Sequence, residues 1–273
     1  MVRLLILGAA GAMGKLISKL ALQDDEIEVI AACDLISIGQ ELSKLAGADD
    51  PNKIKITGID NLQKVIEDTR PEVAVDFSIA KATEQNCPIC IKNKVRCVIG
   101  TTALSQDFIG KLENLIKENE TPVVLSSNMA TGVNIIFKMA SILATYLPEW
   151  DIEIIEQHHH RKADSPSGTA VTIGKIIAES IGVNFEDVAK FGRDFGQNKR
   201  ELGAKKEIGI HAIRAGDIVG DHTVLFAGPG ERIELKHQAH SRECFASGSI
   251  KAIKFIAVAK ENRIFETREV LGL

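Results

Sequence analysis

Short apolar runs alternate with longer amphipathic segments over the first half of the chain. The apolar runs are rich in β-branched residues and have the length of buried strands. They predict strands at Val2–Leu7, Glu28–Cys33, Glu72–Asp76, Cys97–Ile99 and Pro122–Leu125. The segments between them have a helical repeat and predict helices at Ala12–Leu22, Leu62–Asp68, Ala80–Lys94 and Ser105–Glu118. This alternation is typical of a doubly wound α/β domain, in which helices cover both faces of a parallel sheet.

The pattern changes after Asn128, where strands follow one another with few helices between them. The predicted elements are, in order, a helix at Asn134–Leu147, a strand at Asp151–His158, a helix at Gly168–Ile181, strands at Glu207–Arg214, His222–Phe226 and Arg232–Gln238, and a helix at Ser249–Ala259. Strands joined by turns indicate an open mixed sheet, and hence a second domain of α+β type. The polar stretch Asn184–Gly203 is expected to be a surface excursion in which Lys199–Glu201 are solvated.

Composition excludes several classes of function. The chain has 273 residues, 45% hydrophobic, 26% charged and 4% aromatic, with a net charge of −4. These values indicate a folded, water-soluble protein with neither the basic surface nor the aromatic platforms of a nucleic-acid binder. No apolar stretch reaches the ~20 residues that a membrane span needs, so we expect a cytoplasmic protein. Its five scattered cysteines favour reduced, buried thiols over disulfides.

A glycine-rich turn joins the first predicted strand to the first predicted helix. Gly8, Gly11 and Gly14 give the spacing GxxGxxG, a variant of the GxGxxG spacing of Rossmann domains. Glycines there let a phosphate approach the backbone, and the free amides of a helix N-terminus attract the pyrophosphate of a dinucleotide. A purely structural turn is the alternative interpretation.

The ends of the predicted strands carry further candidate residues. Asp34 ends the second strand about 20 residues after the last glycine, where a carboxylate would accept hydrogen bonds from the adenosine ribose. Because Asp34 would repel a 2′-phosphate and Leu35 offers no compensating cation, the sequence favours NADH over NADPH. An ordinary turn residue remains the alternative. The small residues Gly100–Thr102 and Ser126–Met129 would leave room for the nicotinamide ribose at the same sheet edge.

The segment His158–Lys162 holds five consecutive residues that can be cationic, between a strand and the helix that starts near Ser167. Together with the helix N-terminus they predict a pocket for an anionic, carboxylate-bearing substrate. Histidine also exchanges protons near neutral pH. Metal binding and a solvated basic edge are the alternatives, and we predict no metal because the spacing lacks the separated ligand pairs of common zinc sites.

The string EIIEQHHHRKADSPSGTA at 153–170 resembles the signature of the 4-hydroxy-tetrahydrodipicolinate reductases, the dihydrodipicolinate reductase family of lysine and diaminopimelate biosynthesis. The resemblance extends to GAAGAMG at 8–14, DFS at 76–78, IGTT at 99–102, SSNMATGVN at 126–134 and LKHQAHSRECFASG at 235–248. It covers essentially the whole chain.

The resemblance implies roles for individual residues. His158 would be the catalytic acid–base residue, Lys162 the proton donor, and His159, Gly168 and Thr169 the substrate contacts. NADH or NADPH would be held by Gly8, Ala9, Ala10, Gly11, Ala12, Met13, Asp34, Gly100, Thr101, Thr102, Ser126, Ser127, Asn128 and Met129. No catalytic role is assigned to His160 or Arg161, and Arg242 is either structural or a ligand contact.

The resemblance also implies the organisation and the reaction. Residues 1–128 plus 241–273 would form the dinucleotide-binding domain, and 129–240 a domain for substrate binding and for assembly into a homotetramer. A cyclic imine dicarboxylate would lose its 4-hydroxyl as water and receive a hydride at C4. Two alternatives stay open: a two-domain dehydrogenase acting on another small carbonyl or sugar, and a dinucleotide sensor without catalysis.

Overall fold

The computed structural model describes residues 1–200 and 207–273, which divide into two compact units. The first unit comprises Met1–Thr131 and Arg242–Leu273, and the second comprises Gly132–Ser241. Gly203, the last residue of the predicted surface excursion, lies outside the described residues. Among the described residues, no helix has the length and apolar character required to cross a bilayer.

The first 130 residues alternate strands and helices, as the hydrophobic pattern predicts. The strands are β1 (Val2–Leu7), β2 (Ile27–Asp34), β3 (Ile56–Gly58), β4 (Val73–Asp76), β5 (Arg96–Ile99) and β6 (Val123–Leu125). The helices are α1 (Ala12–Leu22), α2 (Leu42–Ala46), α3 (Leu62–Thr69), α4 (Ala80–Lys92) and α5 (Gln106–Asn119), with a 3₁₀ turn at Ile59–Asn61.

The second unit contains the irregular order of elements expected after Asn128. Its elements are α6 (Thr131–Tyr146), β7 (Asp151–His158), α7 (Gly168–Ser180), α8 (Phe185–Val188), β8 (Ala189–Phe191), β9 (Ile208–Arg214), β10 (Asp221–Gly228) and β11 (Glu231–Gln238). The chain then returns to the first unit through α9 (Glu243–Val258), β12 (Ile264–Phe265) and α10 (Thr267–Val270).

The first unit is built on a parallel seven-stranded sheet in the order β12-β6-β5-β4-β1-β2-β3. Successive β1 residues face opposite sides, so Leu4 and Ile6 pack with α1 and α9, whereas Leu5 and Leu7 pack with α3, α4 and α5. The strand order reverses at β1, between β4 and β2. In open α/β sheets, ligands bind beyond the carboxyl ends of the strands at such a switch point.

The second unit is built on a mixed five-stranded sheet in the order β11-β10-β7-β9-β8. Strand β10 is antiparallel to both β11 and β7, whereas β9 is parallel to both β7 and β8. The even-numbered residues of β7 are buried, and Ile152 and Ile154 pack with Ile173 and Ile177 of α7. This face of the sheet forms the core of the unit.

The region 184–200 is more ordered than the sequence predicts. It contains α8 and β8, and Arg200 is only 15% exposed because it pairs with Asp151 and Glu153 on β7. The expectation that Arg200 is solvated is therefore wrong. Its partners lie about 50 residues earlier in the chain, so local composition carried no signal of them.

Candidate active site

The glycine loop of the first unit requires glycine at two positions for different reasons. Gly8 has a φ of +72°, a conformation that L side chains rarely adopt. A Cβ on Gly14 would lie 2.1 Å from the carbonyl oxygen of Gly8, so α1 approaches the loop only because Gly14 has none. No described side chain caps the start of α1 at Gly11. This arrangement fits a dinucleotide pyrophosphate, since close backbone approach and helix amides are what binds it.

The other residues of the loop divide by exposure. Ala9 and Ala10 are buried in the core, and their N–H groups donate to Cys33 and Asp34. Gly11 and Ala12 are exposed, and Met13 is half-buried. The sequence analysis groups these residues as one cofactor-binding loop, whereas the structure buries some of them and exposes others.

Asp34, at the end of β2, is already held by three backbone N–H groups. Its Oδ2 accepts a hydrogen bond of 2.8 Å from Ala10, and its Oδ1 accepts bonds of 2.6 Å from Leu35 and 3.1 Å from Ile36. The carboxylate thus fastens the glycine loop to the loop after β2. Because an ionised carboxylate has about four acceptor positions, one remains for a ribose hydroxyl.

The loop after Asp34 carries an apolar surface that the hydrophobic pattern of the sequence did not indicate. Leu35, Ile36 and Ile38 are 66%, 62% and 61% exposed. Large apolar side chains clustered on an exposed loop are a common mark of a ligand or partner surface. These three residues follow Asp34 directly in the loop after β2.

Gly100 follows β5, and its place is explained by an aromatic ring. A Cβ on Gly100 would lie 2.0 Å from Cζ of Phe77, which follows β4. The Gly100 N–H donates to the carbonyl oxygen of Asp76 at 3.0 Å. The two strand ends are thereby packed against each other.

A hydroxyl network lies beneath the same strand ends. Asp76 is buried, and its Oδ1 accepts bonds of 2.8 Å from the N–H and 2.6 Å from the hydroxyl of Ser78. Burial raises the pKa of the Asp76 carboxyl, although these hydrogen bonds oppose the rise. Thr101 is buried and its hydroxyl bonds Thr83 at 2.8 Å, whereas Thr102 is exposed. Of the two threonines, Thr102 therefore presents its side chain to solvent.

The segment Ser126–Met129 also contains residues with distinct surroundings. The Ser126 hydroxyl donates to the carbonyl oxygen of Asn128 at 3.0 Å, and Ser127 is exposed. Met129 is buried and its sulfur accepts a bond of 3.4 Å from Ser249 of α9. A Cβ on Gly248 would lie 1.7 Å from the carbonyl oxygen of Met129, so Met129 serves to seat α9.

In the second unit, His158 is the last residue of β7 and is buried. Its Nδ1 lies 2.5 Å from Oε2 of Glu156, the buried residue two positions earlier on the same face. Burial lowers the pKa of His158, Glu156 opposes this, and Lys162 and Arg214 lower it further. His222 of β10 stacks edge-on against the imidazole with ring centroids 5.3 Å apart.

The rest of the histidine tract turns away from the sheet. The N–H of His159 donates to Ile218 at 2.7 Å, and its Nδ1 is buried without a hydrogen-bond partner among the described residues. His160 and Arg161 are exposed and bond the turn at Gly216 and Asp217. Neither faces the buried side of β7.

The cationic tract is less positive than its sequence suggests. Arg161 pairs with Asp217 at 2.8 Å, and Lys162 pairs with Asp164 at 2.8 Å. Of the five residues that can be cationic, two have carboxylate partners, and burial lowers the pKa of His158 and so disfavours its charged form. The pairing of Lys162 is partly exposed, so an anionic ligand could compete for it.

Helix α7 begins directly after this tract. The Ser167 hydroxyl accepts a 3.2 Å bond from the N–H of Ala170 and caps the helix, which leaves Gly168 exposed and Thr169 half-buried in its first turn. Apart from its chain neighbours and the backbone of its own helix, no described residue has a heavy atom within 4 Å of where a Cβ on Gly168 would be. The first turn is thus open to a carboxylate.

The sequence missed three residues of this site: Glu156, Arg214 and His222. Glu156 could have been found, since alternation along β7 puts it on the face of His158. Arg214 on β9 and His222 on β10 reach the site only through sheet pairing.

The thiols of Cys87, Cys90 and Cys97 are buried. Residues 1–200 and 207–273 contain no group of His, Cys, Asp or Glu arranged to hold a metal ion.

Two family models match the chain, one for each half. The model described as dihydrodipicolinate reductase, N-terminus, matches residues 2–129, and the corresponding C-terminus model matches residues 132–271. Both halves are thus similar to the two parts of one kind of protein.

Individual proteins match over nearly the same extent. The 4-hydroxy-tetrahydrodipicolinate reductase of Methanocaldococcus jannaschii is 44% identical over 276 residues, covering 100% of this chain and 98% of that protein. The protein of the same name from Methanococcoides burtonii is 44% identical over 252 residues and 92% of each chain. A solved structure, dipicolinate-bound dihydrodipicolinate reductase from Paenisporosarcina sp. TG-14, has a TM-score of 0.77 at 28% identity over 97% of each chain.

Proposed function

The chain belongs to the dihydrodipicolinate reductase family, and on that premise we propose that it catalyses NAD(P)H-dependent reduction of 4-hydroxy-tetrahydrodipicolinate in lysine and diaminopimelate biosynthesis. The substrate, NAD(P)H and a proton yield tetrahydrodipicolinate, NAD(P)⁺ and water, which balances atoms and charge. The observation that carries the proposal is the full-length match to both family models.

The first unit would hold the dinucleotide, which supplies the hydride when bound. Gly8 and Gly11 would give the pyrophosphate close access to the backbone and to the start of α1. Asp34 would accept from the adenosine ribose. Thr102 and Ser127 would face the nicotinamide end, because they are the exposed side chains of their strand ends.

The second unit would bind the dicarboxylate substrate and supply the proton that the reduction needs. Gly168 and Thr169 would bind one carboxylate with the first-turn amides of α7, and His159 would contact the substrate. Lys162, drawn from Asp164 to the ligand, would donate a proton. His158, whose pKa is lowered by burial, would act as the acid–base group that completes the reduction.

We expect NADH to be preferred. Asp34 would repel a 2′-phosphate, and the residues after it, Leu35 and Ile36, are apolar and exposed. An apolar edge favours the flat adenine ring and offers a phosphate neither a charge nor a hydrogen bond.

We also propose that the chain assembles into a homotetramer through its second unit. The face of its sheet opposite the core carries Ile155, which is half-buried, and Ile213, which is 42% exposed. Sedimentation analysis tests this directly, and Ile213→Glu should shift the distribution towards smaller species. A protein that sediments as a monomer at micromolar concentration would rule the tetramer out.

One coupled assay tests the activity. The substrate is generated in situ, and oxidation of NADH and of NADPH is followed in turn by absorbance, with pyridine-2,6-dicarboxylate as competitor. We expect oxidation with both cofactors, a higher kcat/KM for NADH and competitive inhibition. Cofactor binding without oxidation would instead indicate a sensor, and turnover of another carbonyl substrate without inhibition would indicate a different dehydrogenase.

A further inference from the structure

Glu156 is the most completely bonded side chain around His158. It is fully buried and accepts four hydrogen bonds. Its Oε2 accepts from Nδ1 of His158 at 2.5 Å and from Nη1 of Arg214 at 2.8 Å. Its Oε1 accepts from Nη2 of Arg214 at 2.8 Å and from the N–H of Ser167 at 3.0 Å. A carboxylate bound on both oxygens by a guanidinium has a fixed orientation.

The charge of Glu156 decides which nitrogen of His158 carries the proton. Burial alone would raise the pKa of Glu156, but Arg214, His158 and Ser167 outweigh it and lower that pKa below its ordinary value. An ionised carboxylate accepts hydrogen bonds and donates none. The neutral imidazole must therefore carry its proton on Nδ1, which leaves the lone pair on Nε2.

We infer that Glu156, paired with Arg214, is a positioning residue that holds His158 with its proton on Nδ1 and reserves Nε2 for proton exchange in the reaction. This inference rests on the proposed function, which takes His158 as the acid–base group. Neither Glu156 nor Arg214 needs to touch the substrate for this role, because both act through the imidazole.

Arg214 limits how far the carboxylate of Glu156 raises the pKa of His158. An unpaired buried carboxylate next to His158 would favour the imidazolium strongly. The pKa of His158 is lowered overall: burial is the largest cause, and the charges of Lys162 and Arg214 add to it, against the raising effect of Glu156. The neutral form is thus available at neutral pH, and a proton taken up at Nε2 is readily released.

Gly220 marks the other edge of the ring. A Cβ there would lie 3.0 Å from Nε2 of His158 and 3.3 Å from Cδ2. Glycine at this position leaves the proton-exchanging edge uncrowded. Glu156 therefore holds the proton on Nδ1, and Gly220 leaves room at Nε2, where the proton is exchanged.

The same carboxylate reaches the start of α7. Its bond to the N–H of Ser167 fixes the residue that caps the helix, directly before Gly168 and Thr169. Glu156 therefore fixes the position of the His158 imidazole relative to the proposed carboxylate-binding turn. Loss of Glu156 should accordingly change kcat and, to a smaller degree, KM for the substrate.

Two single variants test the inference through opposite pH shifts. In Glu156→Gln the imidazole loses its anionic neighbour while Arg214 remains, so the pH limb of kcat/KM that belongs to His158 should move to lower pH. In Arg214→Gln the carboxylate remains without its cation, so the same limb should move to higher pH. We also expect kcat of Glu156→Gln to fall by about 100-fold or more, in the range for lost general acid–base catalysis.

A double variant separates positioning from a purely structural role. Glu156→Gln with Arg214→Gln removes both charges, so resistance to urea should recover relative to either single variant while kcat stays low. Asp217→Asn, which breaks the exposed pair with Arg161, is the matched control and should retain normal kcat. Recovery of both stability and turnover in the double variant, or limbs that move in the same direction, would overturn the inference.

The tautomer can be measured without any turnover, so a failure of the proposed function remains distinguishable. NMR of protein with isotope-labelled histidine, assigned with His158→Gln, should show neutral His158 protonated on Nδ1, and Glu156→Gln should show a mixture of tautomers. A wild-type protein with this signal but no reductase activity would refute the proposed function alone. A proton on Nε2 in the wild type would refute the positioning role, whatever the activity.

Discussion

The carboxylate of Asp34 accepts a 2.8 Å hydrogen bond from the backbone N–H of Ala10, so the end of β2 holds the glycine loop in place. Replacement by alanine removes this bond and the acceptor for the ribose together. Since hydrogen bonds to charged groups contribute about 1.5–3 kcal/mol, we expect Asp34→Ala to raise KM for NADH by roughly tenfold or more.

Asp34→Asn separates charge from hydrogen bonding. The amide oxygen keeps one acceptor but no longer repels a 2′-phosphate, so the ratio of kcat/KM for NADH to that for NADPH should fall. Asp25→Asn, at the exposed turn before β2, is the control. An unchanged KM in Asp34→Ala would show that the carboxylate has neither task.

The histidine tract offers an internal comparison between buried and exposed members. We expect His158→Ala and Lys162→Ala to lower kcat by roughly 10²- to 10⁴-fold, the range for lost acid–base groups. NADH affinity, measured by fluorescence titration, should stay nearly unchanged, because the proposed cofactor residues belong to the other unit. His160→Ala, an exposed neighbour, should keep normal turnover. Normal turnover in both of the first two variants would contradict the proposed roles.

The contact between Gly100 and Phe77 predicts a loss of stability that a second change repairs. Gly100→Ala places a methyl group 2.0 Å from the ring, an overpacking that costs about 1–3 kcal/mol of unfolding free energy. Phe77→Leu in the same chain should recover much of this loss, and urea unfolding of the four proteins in the cycle measures the coupling. Additive effects would mean that the ring moves aside freely.

His222 predicts a pH dependence of stability in the second unit. Burial, with His158 nearby, lowers its pKa to about 4, against 6.5 in the unfolded chain. Between these values the unfolded chain binds more protons, so stability should fall as the pH is lowered from about 6.5 towards about 4, by up to ~1.4 kcal/mol per pH unit.

Urea unfolding at pH 7.5 and pH 5 measures this dependence. His222→Gln should reduce the difference between the two conditions, whereas His160→Gln, at an exposed position, should leave it unchanged. An equal difference in wild type and His222→Gln would assign the pH dependence to other groups.

The sequence predicted most strands and helices because their apolar repeats are long enough to read. Six elements of two to five residues were not predicted: α2, β3, α8, β8, β12 and α10. Strand β12 has two residues, and only its pairing with β6 makes it a strand. No local pattern of two residues can carry that information.

The candidate site was likewise predictable only where local sequence carries the signal. The tract His158–Lys162 stood out by composition, and the family resemblance singled out His158 within it. Glu156 was within reach by counting two residues back along the strand. Arg214 and His222 were not, because sheet register brings them to Glu156 and His158 from 58 and 64 residues away along the chain. The pairing of Arg161 with Asp217 was hidden for the same reason, since 56 residues separate them along the chain.

The return of α9 and β12 to the first sheet has a consequence for biosynthesis. Leu4 and Ile6 are covered by Ile253 and Ile256, residues that are synthesised only after the whole second unit. The sheet of the first unit therefore lacks α9 on one apolar face until the whole second unit has been synthesised. A nascent chain stalled before residue 243 should therefore expose a chaperone-binding surface in its N-terminal part, although that part was made first.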